Sequence, residues 1–134
     1  MLRAYTTVLQ YVAALLIAGI VMNLFALYRA HGADRPANCP PHLWCGCALA
    51  TYLGITDHKQ WRELWVARNW VNVGRPAYSG CIGCVAVLKR GKGGHVGIVK
   101  GYSGSNPIIW SGNHNNAWGT GVYDHHRVIA YRAL

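Results

Sequence analysis

The chain has 134 residues, which suffices for one domain of modest core plus an accessory segment. Its formal net charge is +9, from 13 Lys and Arg against 4 Asp and Glu, and this charge suits an anionic partner such as nucleic acid, anionic lipid or a cell-wall polymer. The entire supply of acidic residues is Asp34, Asp57, Glu63 and Asp124. So small a supply disfavours a two-carboxylate hydrolase or a carboxylate metal cage, so any chemistry must use Cys, His, Ser or Asn.

The N-terminal part of the chain has the composition of a membrane anchor. Residues 4–28 are almost wholly apolar, and residues 8–28 provide the roughly 20 residues with which a helix crosses a bilayer. We therefore expect residues 1–29 to form one retained transmembrane helix that contacts lipid through residues 4–28. A cleaved signal peptide is an alternative, although no clean cleavage site follows the apolar run. A buried core helix is the other alternative.

A linker and a first helix are predicted next. Glycine and proline interrupt helical sequence between residues 30 and 37, so we assign these residues to a linker and residues 38–134 to one domain. Residues 45–53 have helical composition, and Gly54 is expected to end that helix.

A second helix is predicted over residues 59–73. Asp57 is suited to its N-cap, and Gly74 and Pro76 to its end. Apolar residues recur along this segment at helical spacing, which favours core packing for its tryptophans.

The pattern changes to strands after residue 84. Apolar runs separated by turns predict strands over residues 85–88, 95–102, 108–110, 118–123 and 127–132. Helices followed by a run of strands indicate an α+β domain with a mostly antiparallel sheet.

Cys45 lies where a proline-rich loop passes into helical sequence. Pro40 and Pro41 disfavour a helix before it, and residues 48–53 favour one after it. At a helix N-terminus the macrodipole and the unpaired backbone N–H groups favour the thiolate, which is the nucleophilic form. The alternative interpretation is a buried structural cysteine.

A histidine between glycines supplies a partner for this thiol. Packing of a helix on a sheet brings their ends together, so a pair of Cys45 and His95 is geometrically reasonable. The imidazole would take the thiol proton and later protonate a leaving amine. The polar run 111–116 offers a group to orient the ring, with Asn113 as first choice and His114 as second. An ordinary turn is the other interpretation of that run.

The cysteine count leaves room for a metal site. Five cysteines, an odd number, indicate one free thiol beside paired ones in an exported protein. Structural zinc is a rival, held by the pairs Cys45/Cys47 and Cys81/Cys84 with Cys39, His95 or His114 nearby. We expect no metal and no cofactor, because one Cys-x-Cys is a poor substitute for a second Cys-x-x-Cys.

Six motifs in a fixed order carry a resemblance to a known family. They are Trp44-Cys45-Gly46 and the segments 67–76, 83–88, 94–99, 111–113 and 128–132. Over residues 38–132 the chain resembles the CHAP-type and NlpC-type cell-wall cysteine peptidases, in particular a small bacterial and phage branch. The resemblance implies a papain-like fold that hydrolyses amide bonds in peptidoglycan. It also implies Cys45 as nucleophile, His95 as base and Asn113 as the residue that orients the base.

Two positions depart from the family pattern, and both introduce cysteine. Cys84 replaces a common aspartate after Gly83, and Cys47 replaces a bulky apolar residue. A bond between the surroundings of Cys47 and Cys84 is therefore conceivable, but the four cysteines other than Cys45 allow three pairings. Cys47 is also the alternative nucleophile, although it would lie on another helix face.

These observations together predict a membrane-anchored peptidoglycan hydrolase, either an endopeptidase or an amidase. The expected place is a bacterial inner membrane or a phage virion membrane, with the domain facing the periplasm or the cell wall. The expected partners are peptidoglycan, contacted by Trp44, Trp110 and His114, and the lipid bilayer. Nucleic acid is not expected, because the basic residues do not interleave with the aromatic ones. An inactive wall-binding module and a cysteine-rich zinc-binding domain are the alternatives.

Overall fold

The computed structural model describes residues 10–23 and 35–134, which belong to two compact units, Met1–Asp34 and Arg35–Leu134. In the first unit residues 10–23 are helical and their side chains are exposed. Within the described ranges no helix has the length and apolar character needed to span a membrane. The rest of the predicted anchor and residues 30–34 of the predicted linker lie outside the described residues.

The second unit combines short helices with one sheet, as predicted for an α+β domain. Its helices are α1 (Cys45–Tyr52) and α2 (His58–Glu63), with 3₁₀ helices at Ala67–Asn72 and His125–Arg127. Its strands are β1 (Arg75–Ala77), β2 (Val85–Arg90), β3 (Gly93–Ser103), β4 (Asn106–His114), β5 (Ala117–Val122) and β6 (Val128–Ala133). The strand order is β1-β6-β2-β3-β4-β5, and every neighbouring pair is antiparallel.

The central strands bury both of their faces. Side chains alternate along a strand, so β2 and β3 contribute to two separate clusters. On the helix face, Val85, Val87, Val96 and Ile98 pack with Cys45, Leu49 and Trp70. On the far face lie Ala86, Leu88, Val99 and Ile109. We call these surfaces the helix face and the far face of the sheet.

Helix α1 begins and ends close to the predicted residues. It starts at Cys45 and stops after Tyr52, and Gly54 then takes a left-handed φ of 67°. Gly46 lets the helix approach the next segment closely, because a Cβ at this position would collide with the carbonyl oxygen of Leu64.

The single helix predicted over residues 59–73 is wrong. Asp57 does cap α2, since its side chain accepts a hydrogen bond from the backbone N–H of Gln60 at 2.7 Å. The helix nevertheless ends at Glu63, and a 3₁₀ helix begins only at Ala67. The side chains of Asn69 and Trp70 donate to the carbonyl oxygens of Glu63 and Leu64. They take the acceptors that a continuing α-helix would offer to its own backbone.

The sheet has an edge strand that the sequence pattern did not indicate. Arg75–Ala77 forms β1 and pairs with β6, although Pro76 was expected only to end a helix. A proline is tolerated there because β1 is an edge strand. The side chain of Arg132 in β6 donates hydrogen bonds to the carbonyl oxygens of Val73 and Gly74, which fixes the segment just before β1.

Strand β4 runs further than predicted. It continues through residues 111–114 of the expected turn, and the turn itself is confined to residues 115 and 116. The pairing of β4 with β5 shifts register between Ser111 and His114. Asn113 has a φ of 57° within this irregularity, so the polar run forms a bulged strand end, and bulges re-aim side chains.

The disulfides join cysteines that are near in sequence. Cys39 is bonded to Cys47 and Cys81 to Cys84, while Cys45 is free. The conceivable link between Cys47 and Cys84 is therefore wrong, because Cys47 packs beside Trp44 and Ala48 whereas Cys84 belongs to the far-face cluster. Pairing also leaves these four cysteines without the thiolates that a structural zinc site would need.

Candidate active site

Cys45 is the first residue of α1 and lies on the helix face of the sheet. Its side chain is buried, at 3 % exposure, and contacts the backbone N–H of Val96 in β3. Burial raises the pKa of the Cys45 thiol, while backbone hydrogen bonds from Val96 and Gly46 and the charge of Arg90 act in the opposite direction. The resting group at neutral pH is therefore the thiol.

His95 precedes Val96 in β3, and its ring lies on the far face. It pairs with Leu88 across the sheet and is 1 % exposed. Its Nε2 lies 2.8 Å from Ser111 Oγ and 3.1 Å from Tyr123 OH. Its Nδ1 is buried and has no hydrogen-bond partner among the described residues. A proton on Nε2 would be shared with the two hydroxyls, which leaves the lone pair of Nδ1 free to act as a base.

The surroundings of His95 keep the imidazole neutral. Burial, followed by repulsion from Arg90, His114 and Arg127, lowers the pKa of His95 to about 4. At neutral pH the site therefore holds a thiol and a neutral imidazole, and proton transfer between them is required before the sulfur becomes a strong nucleophile.

The side chains of Cys45 and His95 lie on opposite faces of β3, close to the peptide bond between His95 and Val96. The sulfur of Cys45 contacts the peptide N–H that directly follows His95, so the two residues are neighbours in space. In the described part of the chain no hydrogen bond joins their side chains, because His95 and Val96 project from opposite faces. The pairing of β3 with β4 begins at Ile98 and Trp110. The two strands remain close beside His95, because a Cβ at Gly97 would lie 2.5 Å from the carbonyl oxygen of Trp110.

Asn113 does not occupy the position that was predicted for it. It is buried and shares a cavity with His95, but the hydrogen bonds to Nε2 come from Ser111 and Tyr123. His114, the second choice, acts one step away, because its Nδ1 lies 2.9 Å from Tyr123 OH. Sequence reasoning missed Ser111 and Tyr123 as ring partners. The signal for Ser111 was its spacing from Ile109, which puts both on one strand face.

The predicted binding aromatics differ in their exposure. Trp44 is 2 % exposed and packs edge-on against Trp118 at 6.4 Å, so direct contact of Trp44 with a polymer is wrong. Trp110 is half-buried and stacks on Trp118 with a centroid distance of 4.3 Å. The rings of Tyr52 and Trp110 are edge-on to each other, with a centroid distance of 4.9 Å. Lys100 Nζ lies 5.4 Å from the centroid of the Trp110 ring. The side chains of Tyr52, Trp110 and Trp118 therefore form one aromatic cluster, in which the two tryptophans are stacked and Tyr52 is edge-on to Trp110.

A basic cavity of about 250 Å³ opens beside His95 on the far face. Its lining consists of Arg90, His95, Asn113, His114, Asn115, Val122, Tyr123 and Arg127. No lining residue carries a carboxylate. Cys45 is not part of the lining.

One other cluster has the composition of a metal site. Asp124, His125 and His126 are the group in the described ranges whose ligand atoms lie within 4.8 Å of one another. All three are exposed, and two are engaged locally. Asp124 accepts from the backbone N–H of His126, and His125 contacts Asn106. These contacts explain the cluster as the cap of a 3₁₀ helix.

The chain was compared with known proteins by family, by sequence and by structure. No protein-family model matches it, and neither a curated protein nor a solved structure matches it significantly. A buried thiol at a helix start, a neutral histidine one peptide away and two hydroxyls on that histidine provide the groups needed for acyl transfer through sulfur.

Proposed function

We propose that this protein is a cysteine hydrolase that cleaves amide bonds in peptidoglycan, as an endopeptidase or an amidase, with a papain-like arrangement. Cys45 is the nucleophile and His95 the general base. The observation that carries the proposal is the contact of the Cys45 thiol with the peptide N–H next to His95, together with the unpartnered Nδ1 of that histidine. A buried polar atom without a partner calls for an explanation, and a catalytic base supplies one.

In the proposed mechanism the imidazole begins neutral. Nδ1 of His95 takes the proton of Cys45 as the sulfur attacks the substrate carbonyl, and the imidazolium then protonates the leaving amine. This step requires a local movement that brings the His95 ring and the Cys45 sulfur to the same side of β3. Water, activated by the same nitrogen, hydrolyses the thioacyl enzyme. Backbone N–H groups at the start of α1 are suited to stabilising the oxyanion.

Ser111 and Tyr123 are positioning residues in this mechanism. Their hydroxyls form hydrogen bonds with Nε2 and so fix the orientation of the His95 ring, while Nδ1 stays free. Hydroxyls perform here the task that the family resemblance gives to Asn113. They carry no charge, so they orient the ring without stabilising the imidazolium as a carboxylate would.

The proposal includes attachment to a membrane through residues 1–29. Apolar side chains are exposed along the described helix, among them Leu15, Leu16, Ile17 and Ile20. Exposed apolar surface of this extent indicates contact with lipid or another protein. The charge of +9 would hold the domain near an anionic cell wall. The residues suit phage lysis, the passage of a phage into its host and bacterial wall remodelling equally.

Mass spectrometry of muropeptides tests the proposal directly. The full chain is incubated with purified peptidoglycan sacculi, and the released fragments report both activity and the bond cleaved. We expect release by the unaltered protein and a loss of about 1000-fold or more for Cys45→Ala, with an unchanged circular dichroism spectrum. Equal release by both proteins would remove Cys45 from the mechanism.

An inactive wall-binding module is the second candidate. It is favoured by the burial of Cys45 and by the cluster of Tyr52, Trp110 and Trp118, since partly exposed aromatic rings offer flat surfaces to sugars. In that case the chain would sediment with sacculi without releasing fragments. Trp110→Ala would abolish sedimentation, whereas Cys45→Ala would leave it unchanged.

A further inference from the structure

The cavity beside His95 has a charge that the proposed hydrolysis does not by itself require. Arg90 ends β2 and Arg127 precedes β6, and both line the cavity with His114. Among the described residues neither guanidinium forms an ion pair. Two unpaired guanidinium groups in one concave site are typical of anion recognition, because their forked donors match a carboxylate.

Arg127 is held in place without its charge being neutralised. Its Nε donates to the carbonyl oxygen of Lys89 at 3.1 Å, and its guanidinium lies 5.5 Å from the centre of the Tyr123 ring. These two contacts fix the group at the cavity wall. A guanidinium that is positioned in advance loses less conformational entropy when it binds an anion.

The size of the cavity limits the ligand. At about 250 Å³ it is slightly smaller than the roughly 300–1,000 Å³ of usual small-molecule sites. It suits one short charged group and not a length of polymer. Because His95 also lines it, that group would lie within one or two residues of the bond on which His95 acts.

We infer that Arg90 and Arg127 bind a free carboxylate of the substrate next to the cleaved amide, so the enzyme selects peptides that carry such a carboxylate. This inference rests on the proposed function and specifies its substrate class. The bound carboxylate offsets the positive charge that opposes protonation of His95. The substrate thereby supplies the negative charge that the ring lacks in the free protein.

Amidated sacculi test the inference. Free carboxyl groups of purified sacculi are converted to carboxamides with carbodiimide and ammonia, and the full chain is given treated or untreated sacculi. We expect fragment release to be about 10-fold slower or more on the treated sacculi, since charge-assisted hydrogen bonds are lost. Arg90→Gln should slow release from untreated sacculi by a similar factor and remove the difference between the two.

Lys92→Gln is the matched control variant. Lys92 is exposed in the turn between β2 and β3 and does not line the cavity, so this change removes one nearby charge without altering the site. We expect Lys92→Gln to retain the preference for untreated sacculi. Equal loss of preference in Arg90→Gln and Lys92→Gln would mean that net charge alone is responsible, and would overturn the inference.

Sedimentation with both kinds of sacculi separates the two proposals. Release that is insensitive to amidation overturns the carboxylate site and keeps the hydrolase. Absent release with sedimentation that requires both carboxylates and Arg90 overturns the hydrolase and keeps the carboxylate site. Absent release with equal sedimentation on treated and untreated sacculi overturns both.

Discussion

The two faces of the sheet place opposite chemical environments on the two sides of one peptide bond. On the helix face Cys45 lies among apolar side chains such as Val87 and Val96. On the far face His95 contacts two hydroxyls and faces positive charges. The first environment disfavours a thiolate and the second an imidazolium. Each group is therefore neutral at rest, and the proposed chemistry depends on a proton that crosses from one face to the other.

Removal of the base should have the largest effect on this pair. His95→Gln keeps a polar side chain of similar size but provides no titratable nitrogen. We expect it to lower fragment release from sacculi by about 100- to 10,000-fold, the usual contribution of a general base. Release is measured by mass spectrometry of muropeptides. A decrease of less than about 10-fold would show that His95 is not the base.

The same residue should make the protein less stable in acid. The pKa of His95 is about 4 in the folded protein and 6.5 ordinarily, so only the unfolded chain binds a proton here between these values. The free energy of unfolding should then fall by roughly 3 kcal/mol as the pH decreases from about 6.5 to about 4. Urea denaturation at several pH values measures this slope.

His95→Gln serves as the control for the acid effect. The variant has no imidazole at this position, so its stability should lose most of that dependence on pH. An unchanged slope would assign the effect to other groups and contradict the account of the far face.

The helix face should be sensitive to one added methyl group. A Cβ at Gly112 would lie 2.7 Å from the Cβ of Ala48 and 2.8 Å from a ring carbon of Trp44. Gly112→Ala should therefore lower the free energy of unfolding by about 1–3 kcal/mol through overpacking. Gly93→Ala is the matched control, because its nearest neighbour would be 3.6 Å away. Equal effects of both changes would show that α1 does not pack this closely on β4.

The ring partners on the far face should have the smallest effects. Ser111→Ala and Tyr123→Phe each remove one hydroxyl from Nε2, and each should slow release about 5-fold, in line with one neutral hydrogen bond. Imidazole nitrogen chemical shifts in the full chain report which nitrogen carries the proton. The double variant should shift this distribution toward Nδ1–H, whereas Ser105→Ala, at a distant exposed hydroxyl, should not change it.

Local signals in the sequence predicted local structure well. The start of α1 at Cys45, the stop at Gly54 and the cap at Asp57 depend on neighbours within four residues. The break after α2 depends instead on side-chain hydrogen bonds from Asn69 and Trp70. Helical periodicity carries no information on those bonds, so the pattern predicted one continuous helix.

Prediction of the site shows the same division. The sequence predicted that the side chains of Cys45 and His95 would meet in one cleft. The structure brings the Cys45 sulfur to the backbone N–H of Val96 but places the His95 ring on the far face, so the predicted meeting of the two side chains is not seen. The orienting group depended on the irregular end of β4, where a register shift re-aims Ser111 and Asn113. Neither residue type nor motif order indicates that shift. Tyr123, which directly follows β5, contacts the His95 ring, although the two residues are 28 positions apart along the chain.

The disulfide between Cys39 and Cys47 has a mechanical consequence for the nucleophile. Residues 40–46, including Cys45, form a short loop that this bond closes. A pulling force applied at the N-terminus would pass from residue 39 through the sulfur bridge to residue 47. Residues 40–46 would then carry little of that force. Tension in a tethered chain would therefore leave the position of the Cys45 thiol unchanged relative to the rest of its domain.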